Sequence, residues 1–115
     1  MREVSLKNYK FVIAKLDGTK EDKEYNVRDA LATILFVPGQ GISPRESLSR
    51  NELARRIESC QADSILLEES EWDKLNSAAG TLKDVNRNDL ECLQRIFDAP
   101  KVEVEKSGRP DSRQN

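Results

Sequence analysis

Apolar and polar positions alternate along residues 8–16, NYKFVIAKL, with Tyr9, Phe11 and Ile13 on one side and Val12, Ala14 and Leu16 on the other. A period of two carried by aromatic and β-branched residues predicts a strand. Asp17-Gly18 follows, and because both residues tolerate positive φ, the pair predicts a tight turn. Residues 20–25 are charged up to Tyr25 and read as the solvent-facing return arm of a hairpin.

The period then changes. Asn26-Val-Arg-Asp29 offers an N-cap with an acid three positions on, and Val27, Ala30, Leu31, Ile34 and Leu35 recur at helical spacing, predicting a helix from Val27 to about Phe36. Pro38-Gly39-Gln40-Gly41 ends it. This segment reads as a connector, since Ile42 stands where a phosphate-binding loop needs its lysine and Phe36 where it needs its first glycine.

Ser43-Pro-Arg-Glu46 and Ser49-Arg-Asn-Glu52 both have capping-box form, in which a hydroxyl and a carboxylate satisfy free backbone donors reciprocally. Leu53, Ile57 and Cys60 form a stripe that Leu48 does not join, which favours a short turn at Ser43 and a main helix from Ser49. The short run Asp63-Ser-Ile-Leu-Leu67 reads as a buried extended link, a candidate strand, feeding a helix from Glu68 or Glu69. Trp72, Leu75 and Ala79 give that helix its apolar stripe, and Gly80 closes it. Asn88-Asp-Leu-Glu91 opens a last helix with Leu90, Leu93, Ile96 and Phe97 inward, ended by Pro100. Lys101-Val-Glu-Val-Glu105 alternates strictly and is expected to pair with residues 8–16. The expected core of the central stretch is Leu53, Ile57, Ile65, Leu66, Trp72 and Leu75. Together these elements predict an α+β fold: a small antiparallel sheet, built from the N-terminal hairpin and the C-terminal strand, packed with three to four short helices. One domain spans residues 1–105, and residues 106–115, without an apolar anchor, form a disordered tail.

Composition narrows what such a fold can do. Only 37% of residues are hydrophobic and 35% are charged, so a modest core lies under a heavily charged surface and a partner is expected to cover part of it. The formal charge of −2 argues against general attraction to nucleic acid or anionic lipid. No apolar run approaches the roughly 18 residues of a membrane span, and the first residues lack the apolar centre of a secretory signal, so a cytoplasmic protein with reduced Cys60 and Cys92 is expected.

With no histidine, the chain lacks the commonest general base and transition-metal ligand. Both cysteines lie near apolar stripes, where a thiol is more often filler than nucleophile. Neither an enzyme nor a cofactor or metal is expected. Two charged groups remain as candidate partner-binding residues: Arg45, Arg50, Arg55 and Arg56 in one helical neighbourhood, and Glu68, Glu69, Glu71 and Asp73 at the start of the next helix. Interleaved Glu46, Glu52 and Glu58 leave the arginine segment near neutral, and helix N-termini are acid-rich for structural reasons.

The order of features resembles small accessory proteins of tailed phages and prophages. The resemblance is carried by VRDAL at Val27 to Leu31, LARRI at Leu53 to Ile57 and LLEESEW at Leu66 to Trp72, and spans most of residues 8–100. It implies a phage-encoded accessory protein and brings no catalytic residues. The resulting expectation is a non-catalytic protein–protein interaction module, binding another protein or itself, in virion assembly or on a host protein. The alternative is a DNA-binding transcriptional regulator using a helix pair through the four arginines.

Overall fold

The computed structural model describes residues 1–103. Elements follow in the order β1 (Arg2–Ser5), β2 (Tyr9–Ala14), β3 (Lys20–Tyr25), α1 (Val27–Ile34), α2 (Pro44–Ser59), β4 (Ser64–Leu67), α3 (Glu69–Gly80), a single 3-10 turn (Arg87–Asp89) and α4 (Leu90–Phe97). The fold is α+β, as the periodicity predicts. Its strands, however, form two separate antiparallel pairs, β1 with β4 and β2 with β3.

The β1–β4 pair is the sheet that the helices cover. Val4 lies opposite Ile65 and Arg2 opposite Leu67, so one face carries Val4, Ile65 and Leu67 into the core. Leu66, on the alternate face, is only half-buried, and Leu67 takes the core position expected of it. The C-terminal segment differs from expectation in its partner. Lys101 bridges to Arg2 rather than to residues 8–16, Glu3 N–H donates to Pro100 O at 3.0 Å, and Val102 N–H donates to Met1 O at 2.7 Å. Residues 104–105 of the expected strand, and the expected tail at 106–115, lie outside the described residues.

Local signals explain each helix. Asn26 caps α1 by accepting from Asp29 N–H at 3.1 Å, and Val27, Leu31 and Ile34 are its buried side. In α2 it is Ser43, not Ser49, that starts the helix: its Oγ accepts from Glu46 N–H at 3.1 Å, and Pro44 is pre-set for the first turn. Leu48 is simply an exposed residue of one continuous helix whose inward side is Arg50, Leu53, Ala54 and Ile57. Glu71 Oε1 accepts from Glu68 N–H at 2.9 Å at the start of α3, and Leu75, Ala78 and Ala79 are buried. Trp72 is half-buried, with Nε1–H donating to Ile96 O at 2.7 Å and the Arg2 guanidinium 4.0 Å above the ring.

The last helix is rotated from its expected setting. Asn86 begins the turn, its N–H donating to Asp89 Oδ2 at 3.0 Å, and α4 buries Cys92, Leu93 and Ile96. Leu90 and Phe97, expected inward, are 52% and 44% exposed. Side chains from β1, β4 and all four α-helices, together with Leu6, Leu35 and Ala99, make one core. Arg28 ties its edges together by donating to Leu6 O, Cys60 O and Ala62 O.

Candidate interaction surface

The eight charged residues singled out by sequence occupy different environments. Arg56 is paired with Glu71 and also donates to Leu66 O, bridging α2, β4 and α3. Partial burial works against the charge of Glu71, but hydrogen bonds from Arg56 and from Glu68 N–H outweigh it and hold its carboxyl below the usual value. Glu69 is paired with Arg2 at 2.9 Å. Arg50 is 6% exposed; it pairs with Glu46 at 3.0 Å, donates to Leu35 O at 3.1 Å and is bonded to Gln40 Oε1. Its guanidinium therefore fastens the connector after α1 to α2. Arg45, Arg55, Glu68 and Asp73 are exposed and have no ion-pair partner among the described residues. The fold thus brings arginines and acids together as mutual partners at Arg56–Glu71, and leaves the α2–α3 face less charged than its composition suggests.

A second surface stands on the β2–β3 hairpin. Asp17 shapes its turn by accepting from Thr19 N–H at 2.9 Å and from the Thr19 hydroxyl at 2.6 Å, which hold the carboxyl below its usual value. Gly18 takes φ +87°, a conformation that a side chain would strain. At the opposite end of the hairpin, the Tyr9 hydroxyl donates to Asn88 O at 2.6 Å and accepts from Cys92 N–H at 3.2 Å. The Tyr25 hydroxyl donates to Asp89 Oδ1 at 2.8 Å. Beyond this anchored root the hairpin is open to solvent: Val12 is 56% exposed, Ile13 is 37% exposed and Leu16 is wholly exposed. Leu16 in water forgoes roughly 1.5–3 kcal/mol relative to full burial, and the partly covered Val12 and Ile13 forgo less.

The two edges of this hairpin differ. Glu21, Asp22 and Glu24, with Lys20 and Lys23, load β3 with charge, the usual guard against unwanted strand pairing. The β2 edge is centred on Phe11, Val12 and Ile13. No main-chain hydrogen bond reaches residues 9–14 from any described residue outside β3. Sequence reasoning did not single out this surface, although its signal was visible: apolar residues on both faces of a strand whose return arm has nothing apolar before Tyr25.

Among the described residues, reactive groups are not gathered in a comparable way. Cys92 is buried, and burial pushes its thiol up to about 11, so it is protonated at neutral pH. A cavity of about 370 Å³ between α1, α4 and the 82–85 connector is lined mainly by apolar side chains, including Ala30, Ile34, Leu82 and Leu93. Asp89, at its rim, is already engaged by Tyr25. Among the described residues no cluster of acids and cysteines could hold a metal ion, and no helix is long and apolar enough to cross a membrane. Comparison of the chain with family models, curated proteins and solved structures found no match.

Proposed function

We propose that this chain is a non-catalytic interaction module whose contact surface is the β2–β3 hairpin, binding another protein or a second copy of itself. The observation that carries this reading is the open β2 edge, with Val12, Ile13 and Leu16 held away from the core. On the strength of the VRDAL, LARRI and LLEESEW resemblance alone, we read the partner as a component of virion assembly or a host protein, met in the cytoplasm. A regulator that binds DNA through the four arginines has less support, because Arg50 is buried and Arg56 is committed to Glu71 and Leu66.

A photoreactive amino acid placed at position 12, and separately at the exposed position 73 of α3, tests the reading in the native host cytoplasm. Discrete adducts are expected at position 12 and not at position 73. Adducts at neither position, from a chain that is monomeric in solution, would sink the proposal.

A further inference from the structure

The apolar run Phe11-Val12-Ile13 within β2, centred on Val12, points to one occupant for the open edge. We infer that β2 pairs antiparallel with β2 of a second copy, about a two-fold axis passing beside Val12; the inference rests on the hairpin being the contact surface. In that register Val12 faces Val12 of the second copy, Phe11 faces its Ile13, and Ile13 faces its Phe11. Residues directly opposite each other on an antiparallel pair have their Cβ atoms roughly 4.5–5.5 Å apart, close enough for these apolar side chains to cover one another. The arrangement is self-complementary, as a two-fold interface requires.

Charge agrees with this occupant. The same register sets Lys10 opposite Ala14 and Tyr9 opposite Lys15, so no lysine of one β2 faces a lysine of the other; the one approach of like charges among the described residues is Lys15 towards the Arg95 guanidinium beside Tyr9. Each lysine of β2 and its turn also has an acid on its own hairpin: Lys15 Nζ is 2.7 Å from Glu21, and Lys10 lies opposite Glu24 in the β2–β3 register. A second β2 therefore arrives with its cations already balanced by its own β3. The product is a four-stranded antiparallel sheet in the order β3, β2, β2 of the second copy, β3 of the second copy, with charge-guarded strands on both outer edges. With only six residues in β2, the contact lies at the small end of specific interfaces, which makes the association weak and concentration-dependent.

Sedimentation of the full chain across a wide concentration range, with charge variants at the axis, tests the inference. The native chain is expected to pass reversibly from monomer to dimer. Val12→Lys alone and Val12→Glu alone each set like charges opposite each other and weaken association about tenfold or more, while an equimolar mixture of the two variants regains it. Because the Val12 side chain is largely exposed in the monomer, both variants keep the native circular dichroism spectrum; Asp22 lies opposite position 12 on the same hairpin, so the unfolding midpoint falls slightly for Val12→Glu and does not fall for Val12→Lys. A native chain that stays monomeric throughout, or a mixture that associates no better than either variant alone, overturns the self-pairing. In that event adducts to a foreign protein at position 12 would still uphold the wider interaction reading, so the two failures are distinguishable.

Discussion

Tyr9 and Tyr25 stack face to face at the root of the hairpin, ring centroids 4.7 Å apart and planes within 10° of parallel. They are a cross-strand pair in the β2–β3 register, and each spends its hydroxyl on the turn or helix beneath. The hairpin therefore joins the body through two rings and their polar tips, with the Arg95 guanidinium 5.1 Å from the outer face of Tyr9.

Removing either hydroxyl loosens this joint unequally. Tyr9→Phe leaves both Asn88 O and Cys92 N–H without their partner and is expected to cost about 1–3 kcal/mol, whereas Tyr25→Phe breaks one bond and costs about 1 kcal/mol. Burial, as the largest cause, raises both phenol pKa values above the ordinary 10.0. The unfolded chain thus releases these protons first. Their contribution to stability is whole below pH 10.0 and is lost as pH rises from there towards the folded values. Denaturant unfolding at increasing pH, followed by tyrosinate absorbance, should show stability falling above that point, with a smaller fall in the double Phe variant.

Arg50→Ala should destabilise the fold by about 2–4 kcal/mol, since Leu35 O, Gln40 and Glu46 would all lose a buried charged donor. Arg50→Lys is expected to recover less than half of that loss, because one ammonium cannot reproduce the planar fork that reaches all three. Urea denaturation of the two variants decides it. Equal stability of the lysine variant and the native chain would contradict this account of the side chain.

Acid should break the Arg56–Glu71 link only below the ordinary carboxylate range. The Glu71 carboxyl titrates below the usual 4.5, so the stabilisation from Arg56 and the Glu68 N–H is present above that pH and is lost as pH falls through the folded value. Because Arg56 is 45% exposed, solvent screens the pair and Glu71→Gln is expected to cost only about 0.5–1 kcal/mol at neutral pH. The gap between variant and native chain should close below the carboxylate range. A gap that persists unchanged there would mean that shape, not charge, matters at this position.

The two thiols should differ in reactivity. Cys92 is buried and its thiol is raised to about 11, while Cys60 sits half-exposed at the end of α2. A disulfide reagent at neutral pH should label Cys60 quickly and Cys92 only at the rate of unfolding. Mass spectrometry of the labelled chain reads this directly, and rapid double labelling without denaturant would show that α4 opens readily.

The hairpin, the Asn26 cap, the start of α3 near Glu69 and its end at Gly80 were legible because each rests on interactions between near neighbours in sequence. Pairings were not. The four residues of β1 carry one strong inward side chain, Val4, and their partners are β4 and Lys101, so no local period announces them. The setting of α4 was legible only in part: Leu93 and Ile96 are buried as expected, but they share a stripe with Leu90 and Phe97 as readily as with Cys92, and packing on α3 selects the second. Of the eight candidate site residues, Arg50 had a readable sign of inward placement: it stands three, four and seven positions before Leu53, Ala54 and Ile57, in phase with the buried stripe. Arg56 and Glu71 could be read as charged, but not as each other's partner, since only the β4 crossover brings their helices together.

The central position of β1 also orders events in time. Its two neighbours, β4 on one side and Lys101–Val102 on the other, come from the middle and the far end of the chain. A ribosome delivers β1 before the other described elements, and its last neighbour only after α4 is made. Pairings so distant in sequence close large loops and slow the search for the native state. The hairpin can form from the first twenty-five residues alone, but the sheet beneath the helices closes only when nearly all the described chain is present. β1, made ahead of every other element described, is thus among the last to be secured.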